Sequence, residues 1–577
     1  MAQTLALGPF LAILLAPASA LAHAQLESSS PPQGATVKNE PAAVVFRFDE
    51  PVEGNFGAVR VYDSRGERVD EGDAFHPDGE GPKLAVHLKP GLPDGSYTAT
   101  YRVVSADGHI VSSGYVFSIG EAGKAPAQTV AELLGGAGSG PVTETAFGIA
   151  RGLEYAAIAL AVGGFCFLLL VFLPASCSLS RNSVDKEQLG GVAEAERRFL
   201  ARLRLVLWGA AALGALGAAA SVVLEGAEAA GISGFSALKW SIVEETLGTK
   251  FGGVWGYAFG AWVVFAAALP LLLGRPRARL ALAVPLGFLV LAPALGGHAS
   301  TQSPIALNFP VNVVHVGAMA IWLGGLATLL LVLPTATRAL APAPRSRLLA
   351  GALGRFSQLA LIAVGAILLT GLVQAYVFVR HPADLLSTGY GRAVLAKFLL
   401  LLAVVAFAAY NRRRSLPRLR RIAEAGGTPG RTGVSLRRAL RAEVALLVVV
   451  LGITAALASY APPVSAQSGP FSATTTFGPT QLELTVDPAR VGENQVHVYL
   501  FDSKTGAQYT KGKELTVTAT LPDKELGPLT LESEEAGPGH YIVSNALLNA
   551  PGDWRLDFTL RVSEFDQFEK SVEVGIE

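Results

Sequence analysis

Long apolar runs separated by short polar gaps fill the middle of the chain, whereas both ends carry short stretches in which apolar and polar residues alternate one by one. Eight apolar runs lie at about 146–174, 203–224, 252–273, 279–297, 309–333, 355–378, 393–410 and 442–460. Roughly 20 apolar residues cross a bilayer as a helix. Lipid cannot satisfy open backbone groups, so each run predicts a transmembrane helix. Residues 24–120 read instead as strands. Val44-Val45-Phe46-Arg47-Phe48 and Ala58-Val59-Arg60-Val61-Tyr62 are separated by Asp, Gly and Pro clusters at strand spacing, which predicts a small β-sandwich. Ser96–Val104 and Ser112–Ile119 form two further strands, with Asp107-Gly108-His109 in the turn between them at an accessible sheet end. The same alternation returns in Gln481–Val486, Gln495–Phe501 and Glu514–Ala519, predicting a second sandwich.

The fold expected is thus a multidomain membrane protein: an N-terminal all-β sandwich (23–120), a Gly-, Ala- and Pro-rich linker (121–143), an eight-helix transmembrane bundle (144–461) and a C-terminal β-sandwich (470–577). Leu5 to Leu21 is apolar and ends in Ala20-Leu21-Ala22, which reads as a signal peptide (1–22) cut after Ala22 rather than as an uncleaved anchor. Basic residues follow the first, third and seventh spans: Arg181, Lys186, Arg197 and Arg198, then Arg275, Arg277 and Arg279, then Arg412 to Arg414, Arg418, Arg420 and Arg421. Those loops face the cytoplasm by the positive-inside rule, so both sandwiches lie outside a bacterial plasma membrane.

Composition narrows the chemistry. Of 577 residues, 51% are hydrophobic and 16% charged, too apolar for an ordinary soluble protein. Lys+Arg and Asp+Glu both number 46, and that balance excludes a nucleic-acid binder, whose domain would be basic. Cys166 and Cys177 are the two cysteines and Met319 the one methionine after Met1. A thiolate or methionine-rich metal site is therefore not available, and a metal would have to use His, Asp or Glu. There is no nucleophile–base pair, phosphate-cradling glycine loop or ATP-hydrolysis motif, so no enzyme is indicated.

Cleavage after Ala22 makes His23 the first residue, and its α-amine and imidazole can close a chelate ring on one Cu(II) ion. Asp107 and His109 offer the missing carboxylate and second imidazole, a nitrogen and oxygen set that suits tetragonal Cu(II). In the bundle, His298 ends the fourth run and His315 lies inside the fifth; ionisable groups at that depth mark a pathway by default. Imidazole also ligates haem iron, so electron transfer stays open beside metal passage. Arg151 and Glu154, three apart, read as a pair. Glu443 and Arg441 read as side chains reaching back to the interface. His76 and His87 read as surface residues, and His381, His497 and His540 have no partner at metal-ligand spacing.

These residues carry a family resemblance. His23-Ala24-Gln25-Leu26, Ser30-Pro31-Pro32-Gln33-Gly34 and Val103–His109 resemble the CopC copper-resistance proteins. The resemblance implies Cu(II) ligation by His23, Asp107 and His109, with Glu50 as a weaker candidate. Gly297-His298-Ala299, His315, Trp322-Leu323-Gly324-Gly325-Leu326, Gly389-Tyr390-Gly391-Arg392 and Lys397 resemble CopD, and Gly539-His540-Tyr541 with Gly552-Asp553-Trp554 resembles FixH/YtkA-like domains. The whole looks like a CopC–CopD fusion of the YcnJ type. That implies Cu(II) capture outside and transfer to or across the membrane, with His298 and His315 on the path. Two alternatives remain at this point: delivery of copper to an extracytoplasmic copper protein or oxidase without translocation, and haem binding or cupric reduction in the bundle.

Overall fold

A computed structural model describes residues 24–576, apart from 25, 106, 107, 109, 121–132, 134–138, 182–185, 303, 339, 380, 381, 383, 429, 458–470, 488, 490, 505–507 and 538. Its residues form two compact units, one of residues 141–225 and 246–464, the other of residues 23–140, 226–245 and 465–577.

Among the described residues of the second unit, the N-terminal domain has eight strands: β1 (Leu26–Ser30), β2 (Thr36–Val37), β3 (Ala43–Phe48), β4 (Val52–Glu53), β5 (Val59–Tyr62), β6 (Lys83–His87), β7 (Gly95–Ser105) and β8 (Ile110–Ile119). One sheet runs β1-β3-β6 and the other β2-β8-β7-β4, with β5 also on β7. The alternation seen in the sequence is what divides β3: Val44, Phe46 and Phe48 are buried while Arg47 is exposed. Phe46 meets Tyr101 and Tyr115 edge-on, at ring-centroid distances of 5.1 and 5.6 Å. Leu26 pairs with Phe48, Val52 with Ser105 and Val104 with Ile110. Leu26, the Asp49-Glu50 turn, Ser105 and Ile110 therefore share one end of the sandwich. In the same unit, Arg102 donates to the carbonyls of Glu228 and Ala229.

The C-terminal domain contributes β9 (Phe471–Phe477), β10 (Thr480–Asp487), β11 (Gly492–Asp502), β12 (Glu514–Leu521), β13 (Leu526–Leu531), β14 (Glu534–Gly537), β15 (His540–Leu548), β16 (Gly552–Arg561) and β17 (Gln567–Ile576). They make sheets β14-β15-β11-β10-β9 and β13-β12-β16-β17, enclosing a core that includes Val496, Val498, Leu500, Trp554 and Phe558. By the two-residue period, His497, Tyr499 and Phe501 of β11 point to the opposite face of their sheet.

Among the described residues of the helical unit, eight helices are long and apolar enough to span a membrane: α1 (Val142–Arg181), α2 (Leu189–Ala230), α3 (Lys250–Leu272), α4 (Ala278–Leu295), α5 (Ile305–Thr337), α6 (Pro342–Phe378), α7 (Gly389–Glu424) and α8 (Gly430–Leu457). Large apolar residues such as Leu361, Ile362, Leu369 and Leu372 of α6 stand exposed, as a lipid-facing surface requires. Where α1 crosses α5, glycines let the backbones touch. A Cβ on Gly163 would lie 2.3 Å from the Ala320 carbonyl oxygen, and one on Gly324 would lie 1.8 Å from that of Ala159. Small residues at helix crossings supply the close packing that lipid, as apolar as leucine, cannot drive. The neighbouring Gly325 accommodates the Phe356 ring in the same way. Glu443 departs from expectation: instead of reaching back to the interface it is 2% exposed and accepts from Asn411 Nδ2. The π-turn at Asn411–Ser415 begins with that asparagine, and such turns re-aim side chains locally.

Replacing Gly324 by valine should force α1 and α5 apart and cost about 1–3 kcal/mol, the usual penalty of overpacking. A thermal melt of the purified protein in detergent measures it; an unchanged melting temperature would mean that the crossing does not depend on the glycine.

Candidate metal sites

The bundle holds a seam of buried and half-buried polar side chains between α5 and α6. Asn308, Asn312 and His315 recur at i, i+4 and i+7 on α5, and Thr370 and Gln374 at i and i+4 on α6, spacings that put each set on one helix face. Thr370 donates its one hydroxyl proton to the Ala366 carbonyl at 2.6 Å, and its Oγ1 lies 2.9 Å from His315 Nδ1. The imidazole Nδ1–H is thus the donor in that contact, and Nε2 keeps the lone pair a metal needs. Lys397 of α7 lies within electrostatic reach of His315. Asn308 Nδ2 donates to the Gln302 carbonyl at 2.9 Å, while the side-chain oxygens of Gln302, Asn308 and Asn312 and the amide nitrogens of Gln302 and Gln374 are buried without hydrogen-bond partners. Each such group costs about 1–3 kcal/mol. The helix begins at Ile305, so His315 lies ten residues in, about 15 Å along the axis. His298 opens a short 3₁₀ turn beyond α4, beside the Phe378 ring at 6.3 Å.

Glu154 and Arg151 each contact an aromatic side chain. Glu154, fully buried, accepts from Trp262 Nε1 at 2.8 Å, and the Arg151 guanidinium lies 3.8 Å from the centre of the Phe147 ring.

Three of the proposed Cu(II) ligands, His23, Asp107 and His109, lie outside the described residues, as do the signal peptide, His381 and most of the linker. Glu50 is described: it sits in the turn after β3, with Oε1 buried, at the sandwich end that Leu26, Ser105 and Ile110 share. His76 Nδ1 is 2.7 Å from the Lys83 carbonyl. His87 is stacked on Phe75 and pairs with Asp73 at 2.6 Å. Glu71, Asp73 and His87 bring their ligand atoms within 4.8 Å of one another, with both acids exposed.

His497 and His540 do have a partner, namely each other, which corrects the reading from sequence. Tyr499 pairs with His540 across β11 and β15, which sets His497 diagonally opposite His540. Nδ1 of His497 and Nε2 of His540 are 3.2 Å apart. Both histidines are 4% exposed, and the Tyr499 ring stacks on His540 at 4.3 Å. No linear spacing announces a pair 43 residues apart; strand pairing makes it.

Residues 26–120 match the CopC domain family, 142–306 the copper resistance protein D-like N-terminal domain, and 350–457 copper resistance protein D. Over 570 residues the chain is 28% identical to the copper transport protein CutJ of Bacillus subtilis, covering 96% of each chain. The chain belongs to the CopC–CopD fusion proteins of copper transport and resistance. Its CopC domain is 34% identical over 101 residues to Protein YobA of Escherichia coli, spanning 18% of this chain and 82% of that one. It is 33% identical to the crystallised CopC of Methylosinus trichosporium OB3b, covering 18% of this chain and 98% of that one, with a TM-score of 0.16. The CopD matches fall in the helical unit of a multi-pass membrane protein, on either side of residues 307–349, the stretch that holds Asn308, Asn312 and His315.

Burial pushes the C-terminal imidazoles down from their ordinary 6.5, His497 to about 4 and His540 to about 3, where His497 also opposes a second charge. Below pH 6.5 the unfolded chain takes up protons that the folded pair refuses. Stability conferred by the neutral pair is complete above that pH and declines as pH falls toward 4, by up to about 1.4 kcal/mol per pH unit for each histidine. Unfolding of the full chain at pH 7 and pH 5, followed by near-ultraviolet circular dichroism, should show this decline, and His497→Gln with His540→Gln should flatten it. A decline of equal slope in the double variant would show that other groups cause it.

Proposed function

We propose that this CopC–CopD fusion captures Cu(II) outside the plasma membrane and passes it to the membrane and across it, acting as a transporter and not as an enzyme. In this reading the N-terminal site consists of the His23 amine and imidazole, Asp107 and His109, with Glu50 behind them. Support comes from the ligand chemistry and from the place of Glu50 at the sandwich end that Leu26, Ser105 and Ile110 share. The single observation that carries the passage is the polar seam between α5 and α6. A bundle with no cargo to pass would gain by filling those positions with leucine, since unpartnered amides in lipid only cost free energy. His315, with Nε2 unprotonated, and the carbonyl oxygens of Asn308 and Asn312 offer the borderline nitrogen and hard oxygen donors that suit copper. His298, at the end of α4, serves as the entry. In this reading both β-domains lie outside, which the basic loops after the first, third and seventh spans support. The C-terminal domain is read as FixH/YtkA-like.

Copper uptake into proteoliposomes tests the passage. His315→Leu should lower the initial rate at least tenfold, because the seam loses its one metal-ligating nitrogen, while His76→Gln should leave it unchanged. A His315→Leu rate within twofold of the parent would remove the seam from the path. Capture is tested by electron paramagnetic resonance of Cu(II) bound to the mature full chain. A nitrogen-rich tetragonal signal should vanish when one residue is added before His23, and it should weaken as pH falls and the ligands protonate; a signal indifferent to the added residue would exclude the amino-terminal chelate.

A further inference from the structure

His497, Tyr499 and His540 lie on the face of their sheet that points away from the C-terminal core, where side chains ordinarily meet water. They are nevertheless buried. Their cover comes from the N-terminal domain, through the turn Ser30-Pro31-Pro32-Gln33-Gly34. Gly34 has φ +72°, and a Cβ there would stand 2.2 Å from Cε1 of His540 and 2.9 Å from each of its ring nitrogens, so only glycine fits over the ring. Gln33 lies beside Tyr499, and the turn is pinned to its own sandwich by Gly34 N donating to the Val116 carbonyl at 2.8 Å and Tyr115 Oη donating to that of Pro31 at 2.7 Å. Val116 is six residues along β8 from Ile110, about 20 Å at strand rise, so this pocket is separate from the Glu50 end of the domain.

The pocket has the makings of a metal site. Two nitrogens each about 2.0 Å from one ion at the tetrahedral angle stand about 3.3 Å apart, with two positions on the ion left for other ligands, and Nδ1 of His497 and Nε2 of His540 stand at 3.2 Å in rings 10° from parallel. Nδ1 of His540 is buried against the Gly34 backbone without an ordinary hydrogen bond. That is the place of the backbone group which, in metal-bound histidines, orients the ring from the far nitrogen. Tyr499 Oη is likewise buried without an ordinary partner. Glu483, opposite Tyr499 on β10, is within electrostatic reach and favours a cation. Both ligands are neutral imidazoles, so a monovalent ion leaves half the charge of a divalent one to be buried.

We propose that His497 Nδ1 and His540 Nε2 together bind one Cu(I) ion beneath the Gly34 turn, a copper site shared by the two β-domains and distinct from the amino-terminal Cu(II) site. The choice of copper rests on the transport reading; the two-nitrogen geometry does not.

The test is titration of the detergent-purified full chain with Cu(I) against a chromophoric Cu(I) chelator under a reducing atmosphere. The chain carries His23→Gln, His87→Gln, His109→Gln, His298→Gln and His315→Gln, which silences the other candidate imidazole sites. One equivalent should remain bound, and His540→Gln or His497→Asn should each abolish it. Gly34→Ala, pressing on the His540 ring, should weaken it at least tenfold. Retention of the equivalent in both histidine variants would overturn the proposal, as would preference for Zn(II) over Cu(I). Where a histidine variant fails to fold, copper-edge X-ray absorption on the parent decides: two imidazole scatterers support the site, and a first shell without imidazole overturns it. The Cu(II) resonance signal of a chain with native His23 should be unchanged by His540→Gln, so failure of this site and failure of the amino-terminal capture site register in different measurements.

Discussion

Every polar group placed inside an apolar bundle must find a partner within the protein, because lipid offers none. That constraint organises the helical unit. Backbone groups meet it by forming helices, Glu443 meets it through Asn411, and Glu154 meets it at one carboxylate oxygen through Trp262. The side chains of Gln302, Asn308, Asn312 and Gln374 meet it only in part. Unpaired amides of this kind are costly, and in the proposed reading their alignment with His315 gives the cost a use: oxygens and a nitrogen that a passing copper ion would satisfy in turn. The Gly163–Gly324 crossing packs the α1–α5 side of the bundle closely, so that α5, which carries the seam, is held rigidly.

The β-domains obey a different rule. In a sandwich the strand period sends alternate residues to the core and to the outer face, and Val496, Val498 and Leu500 follow it inward. His497 and Tyr499 follow it outward and end up buried all the same, because Gly34 of the other β-domain lies over His540. A face that is polar by pattern and dry in fact is the mark of an interface, and the histidine pair lies in the middle of it.

Much of this was legible in the sequence. Period-two alternation located the strands of both β-domains, and apolar runs of spanning length located the eight helices, since both patterns are local. The seam was half legible: Asn308, Asn312 and His315 already stand at i, i+4 and i+7 in an apolar run, yet Thr370 and Gln374 join them only through helix packing. The His497–His540 pair was not legible, for its members are brought together by the register of β11 and β15. Glu443 misled because its place at the start of an apolar run suggested the interface, whereas the helix begins at Gly430 and the π-turn at Asn411 supplies a buried donor. The amino-terminal ligands His23, Asp107 and His109 rest on the cleavage motif, the turn motif and the family resemblance.

The most direct measurement of the central claim is anomalous scattering at the copper edge from crystals of the copper-loaded full chain. A copper peak beside His315, between α5 and α6 and near Asn312, is what a copper-conducting seam predicts. Copper peaks confined to the β-domains, with none in the bundle at any loading, would contradict passage through the seam and leave a protein that binds copper and hands it on outside the membrane.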